Sequence, residues 1–357
     1  MNHGLYIHIP FCARKCPYCG FYSVTDRTCL DAYLKSLLTE IKSLEGNSFD
    51  TVYTGGGAPS LLGAELPVLL EKIVSLTGFC GAEFTVEVNP ESVTKELMSD
   101  LSGLPVSRIS VGAQSADDSV LRLLERIHTS ERIFAAYDII RSNTGCDINL
   151  DLMYDIPSVD AQTVKRSVKK FIALGPEHIS AYSYSPDTGY LTDKASDDSY
   201  QTEMVTGILE DAGYMRYEVS NFSIPGHESI HNMKYWRMQP YYGVGAGAHS
   251  MVVREGRRVR YSHLPDIETY IADPLEKADV EMYDCKTAAL ESVVFGLRCV
   301  EGVDLLEITE KFGAITNELT DKINVLAGEG LLKCAGNRIK ASKKGFLLLD
   351  SVMSYLW

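Results

Sequence analysis

Three cysteines at unequal, close spacing constrain this chain more than any other feature. Cys12, Cys16 and Cys19 fall within the run Tyr6-Ile-His-Ile-Pro-Phe-Cys-Ala-Arg-Lys-Cys-Pro-Tyr-Cys19, with three and then two residues between successive sulfurs. Thiolates on one short loop can each bind a different iron of a [4Fe-4S] cluster, because such clusters are held by cysteine sulfur. Three ligands for four irons leave one iron open to chemistry. Structural zinc is the alternative, with His8 as a fourth ligand. Zinc sites usually bring two close pairs, however, and no second Cys-x-x-Cys occurs. Disulfides fit poorly: three is odd, and Cys29, Cys80, Cys146, Cys285, Cys299 and Cys334 stand singly. Those six read as small buried hydrophobes.

A chain of 357 residues predicts one large domain with a smaller one. Its 45% hydrophobic content is enough for a sizeable core. No apolar run is long enough for a membrane-spanning helix, and the N-terminus does not read as a signal peptide. Free thiols and oxygen-sensitive ligands suit a reducing compartment, so a cytoplasmic location is expected. A net charge of −14 argues against broad affinity for nucleic-acid phosphates.

Short apolar runs alternate with amphipathic ones through the first two thirds. Strands are predicted at Leu5–Ile9, Thr51–Thr54, Phe84–Val88, Arg108–Val111, Ile148–Met153 and Ile179–Tyr184. Leu30, Tyr33, Leu34, Leu37, Leu38, Ile41 and Leu44 mark one helix face. Similar helices are predicted near Leu66–Leu76, Ser119–Leu124, Ser130–Arg141 and Gln162–Leu174. This order implies parallel strands joined by right-handed crossovers. The fold class is therefore α/β: six units forming a partial (β/α)6 barrel, with ligands at the C-terminal ends of its strands.

The polar signals fall at that rim. The cysteine loop follows the first strand, and Gly55-Gly56-Gly57-Ala58-Pro59-Ser60 follows the second, where absent Cβ atoms let backbone N–H groups approach a ligand. Glu87 and Asn89 end the third strand, Gln114 and Asp151 come from the fourth and fifth, and Arg126 lies in the helical region after the fourth. Each alone is more often a cap or a surface group. Together beside the cysteine loop they suggest a site.

With these motifs the chain resembles the radical S-adenosylmethionine (radical SAM) proteins, in the group of oxygen-independent coproporphyrinogen III oxidase and the haem chaperone HemW. The resemblance spans nearly the whole chain, through Tyr6-x-His8, the cysteine triplet, the glycine run, Glu87-x-Asn89-Pro90, Gln114, Arg126-x-His128 and Asp151-Leu-Met-Tyr. It implies that S-adenosylmethionine chelates the open iron and can yield a 5′-deoxyadenosyl radical. It also implies that Tyr6, Tyr18, Gly56, Gly57, Ala58, Glu87, Gln114, Arg126 and Asp151 line the nucleotide pocket. Ala58 stands where the family usually has threonine, and Asp155 where glycine is usual. The latter carboxylate can alter the pocket rim or lie in solvent.

Within the group, the oxidase carries a fourth cysteine two residues after the triplet and a long N-terminal extension. Here Phe21 holds that position, and five residues precede Tyr6. His231-Asn-Met-Lys-Tyr-Trp236 is similar to the His-Asn-x-x-Tyr-Trp signature of the chaperone. An imidazole can ligate haem iron, which makes His231 the haem-binding candidate, with His249 and Cys299 as other conceivable ligands. The competing reading is a hydrogen-bonded structural histidine in a segment packed across the barrel mouth, with Tyr235 and Trp236 as core. Arg254, Arg257, Arg258 and Arg260 flank a Glu-Gly turn and read as a solvated hairpin.

The expected division is 1–222 for the barrel, 223–273 for a connecting segment and 274–357 for a winged-helix-like C-terminal domain. Its helices are predicted near Lys286–Gly296, Leu305–Phe312 and Thr316–Leu326, followed by a hairpin at Gly336-Asn337 and a helix Phe346–Leu356. Seven basic against eight acidic side chains in 301–357 leave no basic face for DNA. The resemblance thus implies a haem chaperone with a [4Fe-4S] cluster, S-adenosylmethionine and haem as cargo. Its partners would be an acceptor haemoprotein and an electron donor such as flavodoxin or ferredoxin. The alternative function is oxidative decarboxylation of coproporphyrinogen III to protoporphyrinogen IX.

Overall fold

The computed structural model describes residues 2–185, 189–191, 198–313 and 315–357. The barrel runs β1 (His3–Ile9), α1 (Leu30–Ser43), β2 (Phe49–Gly56), α2 (Glu65–Thr77), β3 (Glu83–Val88), α3 (Lys95–Ser102), β4 (Arg108–Gln114), α4 (Asp118–Leu123), α5 (Ser130–Asn143), β5 (Asp147–Tyr154), α6 (Ala161–Leu174) and β6 (His178–Ser183). Neighbours β1 to β6 pair in parallel, in chain order. That is the partial (β/α)6 barrel expected from the alternation. Helix α3 is absent from the sequence-based expectation because only Leu97, Met98 and Leu101 mark its inner face. Its cap is explicit: Leu97 N–H donates to Thr94 Oγ1 at 3.1 Å.

Period-two alternation sorts the strand residues. Leu5, Ile7 and Ile9, then Phe84, Val86 and Val88, then Ile148, Leu150 and Leu152 are all buried and belong to the large apolar core. Burying one such side chain contributes roughly 1.5–3 kcal/mol, which fixes each strand's register. The intervening positions face the barrel interior, and they are mostly polar: Tyr6 and His8, Thr85 and Glu87, Asn149 and Asp151, Ser180 and Tyr182.

The chain then adds α7 (Asp198–Asp211), β7 (Met215–Arg216), β8 (Asn221–Ser223), α8 (Ile230–Trp236), β9 (Tyr241–Val244), β10 (His249–Arg254), β11 (Arg257–Ser262), α9 (Ile267–Ala272) and β12 (Ala278–Tyr283). Strand β9 lies parallel to β1, and β10, β11 and β12 follow antiparallel, giving the sheet order β12-β11-β10-β9-β1-β2-β3-β4-β5-β6-β8-β7. The large sheet therefore continues past residue 273 to Tyr283.

The C-terminal elements are α10 (Cys285–Gly296), β13 (Val303–Asp304), α11 (Leu305–Phe312), α12 (Asn317–Gly328), β14 (Leu332–Ala335), β15 (Arg338–Ala341), α13 (Lys343–Leu347) and α14 (Leu349–Leu356). Helices α10, α11, α12 and α14 and a small sheet ordered β13-β15-β14 enclose a second core around Val293, Ile308, Ile323, Leu326 and Val352. This is a winged-helix-like unit, with the predicted terminal helix broken at Leu348.

The arginine hairpin departs from expectation. Arg254 and Arg257 are exposed, but Arg258 is buried, donating to Ala288 O and Ser292 Oγ on α10, both at 2.8 Å. Arg260 pairs with buried Glu291 at 2.7 Å. Two of the four arginines thus face inward because α10 covers that side of the sheet. The single cysteines also divide: Cys146 and Cys299 are buried, but Cys80, Cys285 and Cys334 are exposed.

Candidate functional site

The cysteine loop is pinched at its base, where Cys12 N–H donates to Val24 O at 2.9 Å and Val24 N–H to Pro10 O at 2.8 Å. Cys12, Cys16 and Cys19 are half-buried free thiols lining a cavity of about 480 Å³ inside the barrel. Tyr18, Gly56, Gly57, Glu87, Gln114, Arg126 and Asp151 line the same cavity. Residues from four strands, the cysteine loop and the segment after α4 thus line one cavity.

Arg126 is the tie between loop and barrel. It donates to Asn89 Oδ1 and Gly112 O at 2.8 Å each and to Cys16 Sγ at 3.4 Å. The guanidinium thus fixes the position of the Cys16 sulfur against the barrel wall. Glu87 accepts from Tyr53 Oη at 2.7 Å and from Gly56 N–H at 3.1 Å. Burial raises its carboxyl above the ordinary range. Asp151, which accepts from Asn149 Nδ2 at 2.8 Å, is pushed up to about 7 by burial and then by the charge of Glu87. Two buried carboxylates so placed suit a cationic ligand. Gln114 adopts φ 68° and accepts from Tyr182 Oη at 2.6 Å.

Two expected residues sit elsewhere. Ala58 is buried behind the loop, its N–H donating to Phe11 O at 2.9 Å, and it does not line the cavity. Tyr6 lines a second cavity instead and is hydrogen-bonded to His8 Nδ1 at 2.9 Å. The glycine run also works differently than predicted. Its N–H groups are spent internally: Gly56 on Glu87, and Gly57 on Ile9 O at 2.8 Å. Glycine is needed there for close packing, since a Cβ on Gly57 would lie 2.7 Å from Ile9 O and 2.8 Å from Phe11 O. Asp155 lies neither on the rim nor in solvent. It is buried at φ 53°, a left-handed conformation that favours glycine, and its N–H donates to Gln201 Oε1 at 3.2 Å.

His8 is committed. Its Nε2 is hydrogen-bonded to Tyr22 O at 2.9 Å while Nδ1 holds Tyr6, and burial lowers its pKa to about 4. Neither nitrogen is left for a metal, which removes the fourth ligand of the zinc alternative. Among the described residues no three His, Cys, Asp or Glu side chains form a site for a single metal ion. Three free thiols facing one cavity, with a cation at Cys16, fit a cluster.

The second cavity, about 940 Å³, adjoins the first and shares Gly20, Phe21, Tyr53, Gly56, Glu87 and Asn232 with it. Its far wall is the inner face of β9 to β12, with Tyr241, Met251, Arg260 and Tyr283, and Phe295 of α10 beside them. Tyr235 and Trp236 line it rather than forming core.

His231 lines neither cavity. It is fully buried at the N-terminal ends of the barrel strands, opposite the cysteine loop. Its Nδ1 is hydrogen-bonded to Thr51 Oγ1 at 2.9 Å and its Nε2 to Tyr235 Oη at 2.8 Å, while its N–H donates to Glu83 Oε1 at 2.9 Å. Burial and then Lys234 lower its pKa to about 3. In this arrangement it is a structural histidine, contrary to the haem-ligand reading. The segment closes the bottom of the barrel, not the mouth. Cys299 is buried and also lines neither cavity, whereas His249 is exposed and lines the larger one.

Sequence reasoning missed Tyr53, Asn149, Ser180 and Tyr182, all lining the smaller cavity. Polar residues at every second position of otherwise apolar strands were the available signal.

Comparison with known proteins agrees with this architecture. Residues 6–172 match the radical SAM superfamily, and residues 283–348 match the HemN C-terminal domain. The heme chaperone HemW of Lactococcus lactis is 35% identical, covering 98% of this chain and 96% of its own. HemW of Escherichia coli is 29% identical over 98% and 97%. The solved structure of the radical SAM enzyme coproporphyrinogen III oxidase (HemN) from Escherichia coli superposes with a TM-score of 0.84, at 21% identity, covering 99% of this chain and 90% of that one. The chain therefore belongs to the radical SAM superfamily, in the family of the heme chaperone HemW.

Proposed function

We propose that this protein is a haem chaperone that binds a [4Fe-4S] cluster, S-adenosylmethionine and haem and delivers the haem to an acceptor haemoprotein. The observation that carries the reading is the pair of adjoining cavities, one polar and thiol-lined, the other larger and walled by aromatic rings. A flat apolar macrocycle needs the second kind of wall. The names of the relatives support haem as cargo.

Cys12, Cys16 and Cys19 would hold the cluster. Tyr18, Gly56, Gly57, Glu87, Gln114, Arg126 and Asp151 would hold S-adenosylmethionine. When bound and reduced, the cluster would supply the electron that cleaves the sulfonium of S-adenosylmethionine. The chain's own contribution is positional. Arg126 fixes Cys16 against the barrel, and Glu87 and Asp151 present buried carboxyls to an ammonium or ribose hydroxyls. Tyr53 and Gly56 orient Glu87. Phe21, 65% exposed, stands at the rim of both cavities and offers no further thiolate. The electron donor would be of the flavodoxin or ferredoxin kind, and the compartment cytoplasmic, where thiols stay reduced.

The test is anaerobic reconstitution followed by titration with hemin, transfer to an apo-haemoprotein, and a separate assay for decarboxylated porphyrin. A stable Soret band, transfer and no porphyrin product are expected. Product formation without stable haem binding would assign the oxidase activity instead.

A further inference from the structure

We infer that haem seats in the larger cavity with the imidazole of His249 as its iron ligand; this rests on the chaperone reading above. Two imidazoles line that cavity, those of His8 and His249. Both ring nitrogens of His8 are engaged, to Tyr6 and to Tyr22. His231, in the motif resembling the chaperone signature, has both nitrogens engaged below the barrel. Releasing either would leave Thr51 or Tyr235 with an unmatched buried hydroxyl.

His249 differs in every respect. It opens β10 on the exposed side of the cavity, and its ring has no hydrogen-bonding partner among the described residues. Backbone register puts it opposite Ser262 of β11, with Met251 two residues along, opposite Arg260. His249, Met251, Ser262 and Arg260 all line the cavity, so this imidazole borders the same space as Tyr235, Trp236, Tyr241, Tyr261, Tyr283 and Phe295. An imidazole at an exposed rim also leaves the iron's other face accessible, which a protein that surrenders its haem requires. The chaperone-like motif keeps a role in this arrangement: Tyr235 and Trp236 contribute wall, and His231 holds Tyr235 in place at 2.8 Å.

The experiment titrates hemin into the full chain and into His249→Ala and His231→Gln variants, following Soret position, spin state and affinity, with circular dichroism and thermal melting for folding. His249→Ala is expected to lose the imidazole-ligated spectrum and to weaken hemin by about tenfold or more. Added free imidazole should restore the spectrum. His231→Gln is expected to melt earlier yet keep the spectrum per folded molecule. The assignment is overturned if His249→Ala retains the wild-type spectrum and affinity while folded His231→Gln loses them, which leaves the chaperone reading intact. A wild-type chain that binds no hemin overturns both.

Discussion

Arg126 and Cys16, 110 residues apart in the chain, meet at 3.4 Å, guanidinium Nη1 donating to sulfur. The same side chain reaches Asn89 and Gly112, so one cation links the cysteine loop to the ends of β3 and β4. Arg126→Gln removes the charge and leaves buried acceptors underserved. The expected loss of stability is about 1–3 kcal/mol, with a larger proportional fall in iron retained after anaerobic reconstitution. Urea unfolding and iron analysis of the same preparations measure the two effects separately.

Gly57 lies too close to the Ile9 and Phe11 carbonyls for any side chain. Gly57→Ala must move the cysteine loop away from the barrel, because the neighbours it strikes are backbone. We expect destabilisation of about 1–3 kcal/mol and cluster content well below wild type. Unchanged iron and sulfide in the alanine variant would remove the close-packing role.

Asp151 gives the ligand-free protein a pH dependence. Its carboxyl is raised from 3.8 to about 7 in the folded state, by burial first and the charge of Glu87 second. The folded chain therefore binds more protons than the unfolded chain between those values. This group's contribution to stability is complete below the unfolded value, falls as pH rises through the window, and is flat above it. Asp151→Asn should gain on wild type as pH rises from 4 to 7, by a few kcal/mol at most. Urea midpoints at intervals across that range should diverge; parallel curves would show that Asp151 titrates normally.

Arg260 and Glu291 form an ion pair at 2.7 Å, with Glu291 1% exposed. Glu291→Ala removes the guanidinium's carboxylate partner, and because Arg260 keeps access to the cavity the expected destabilisation is about 1–3 kcal/mol. Replacing both, Arg260→Met with Glu291→Leu, should recover most of that loss, because the desolvation of two charges is removed together. A double-mutant cycle in guanidinium chloride measures the coupling.

Much of this fold was legible because its signals are local. The six barrel strands and most of their helices follow apolar periodicity, and the thiolate triplet announces itself by spacing. What was hidden depends on distant partners. His231 is held by Thr51 and Glu83, residues on β2 and β3 that nothing in the run 231–236 specifies. The larger cavity needs β9 to lie beside β1 and β12 to extend the sheet, pairings set by tertiary packing. Arg258 and Arg260 looked like hairpin surface because α10, which covers them, lies nearly thirty residues further on. Asp155 is clearer in the structure than in sequence: its left-handed φ explains why glycine would suit the position, and its burial excludes solvent.

The most direct measurement is electron paramagnetic resonance of the anaerobically reconstituted, dithionite-reduced chain, with and without S-adenosylmethionine, alongside iron and sulfide analysis. A reduced four-iron signal that changes on adding S-adenosylmethionine, and that disappears when Cys12, Cys16 and Cys19 are all replaced by alanine, is the predicted result. Zinc in place of iron and sulfide, or an iron content unaffected by the triple replacement, would contradict it.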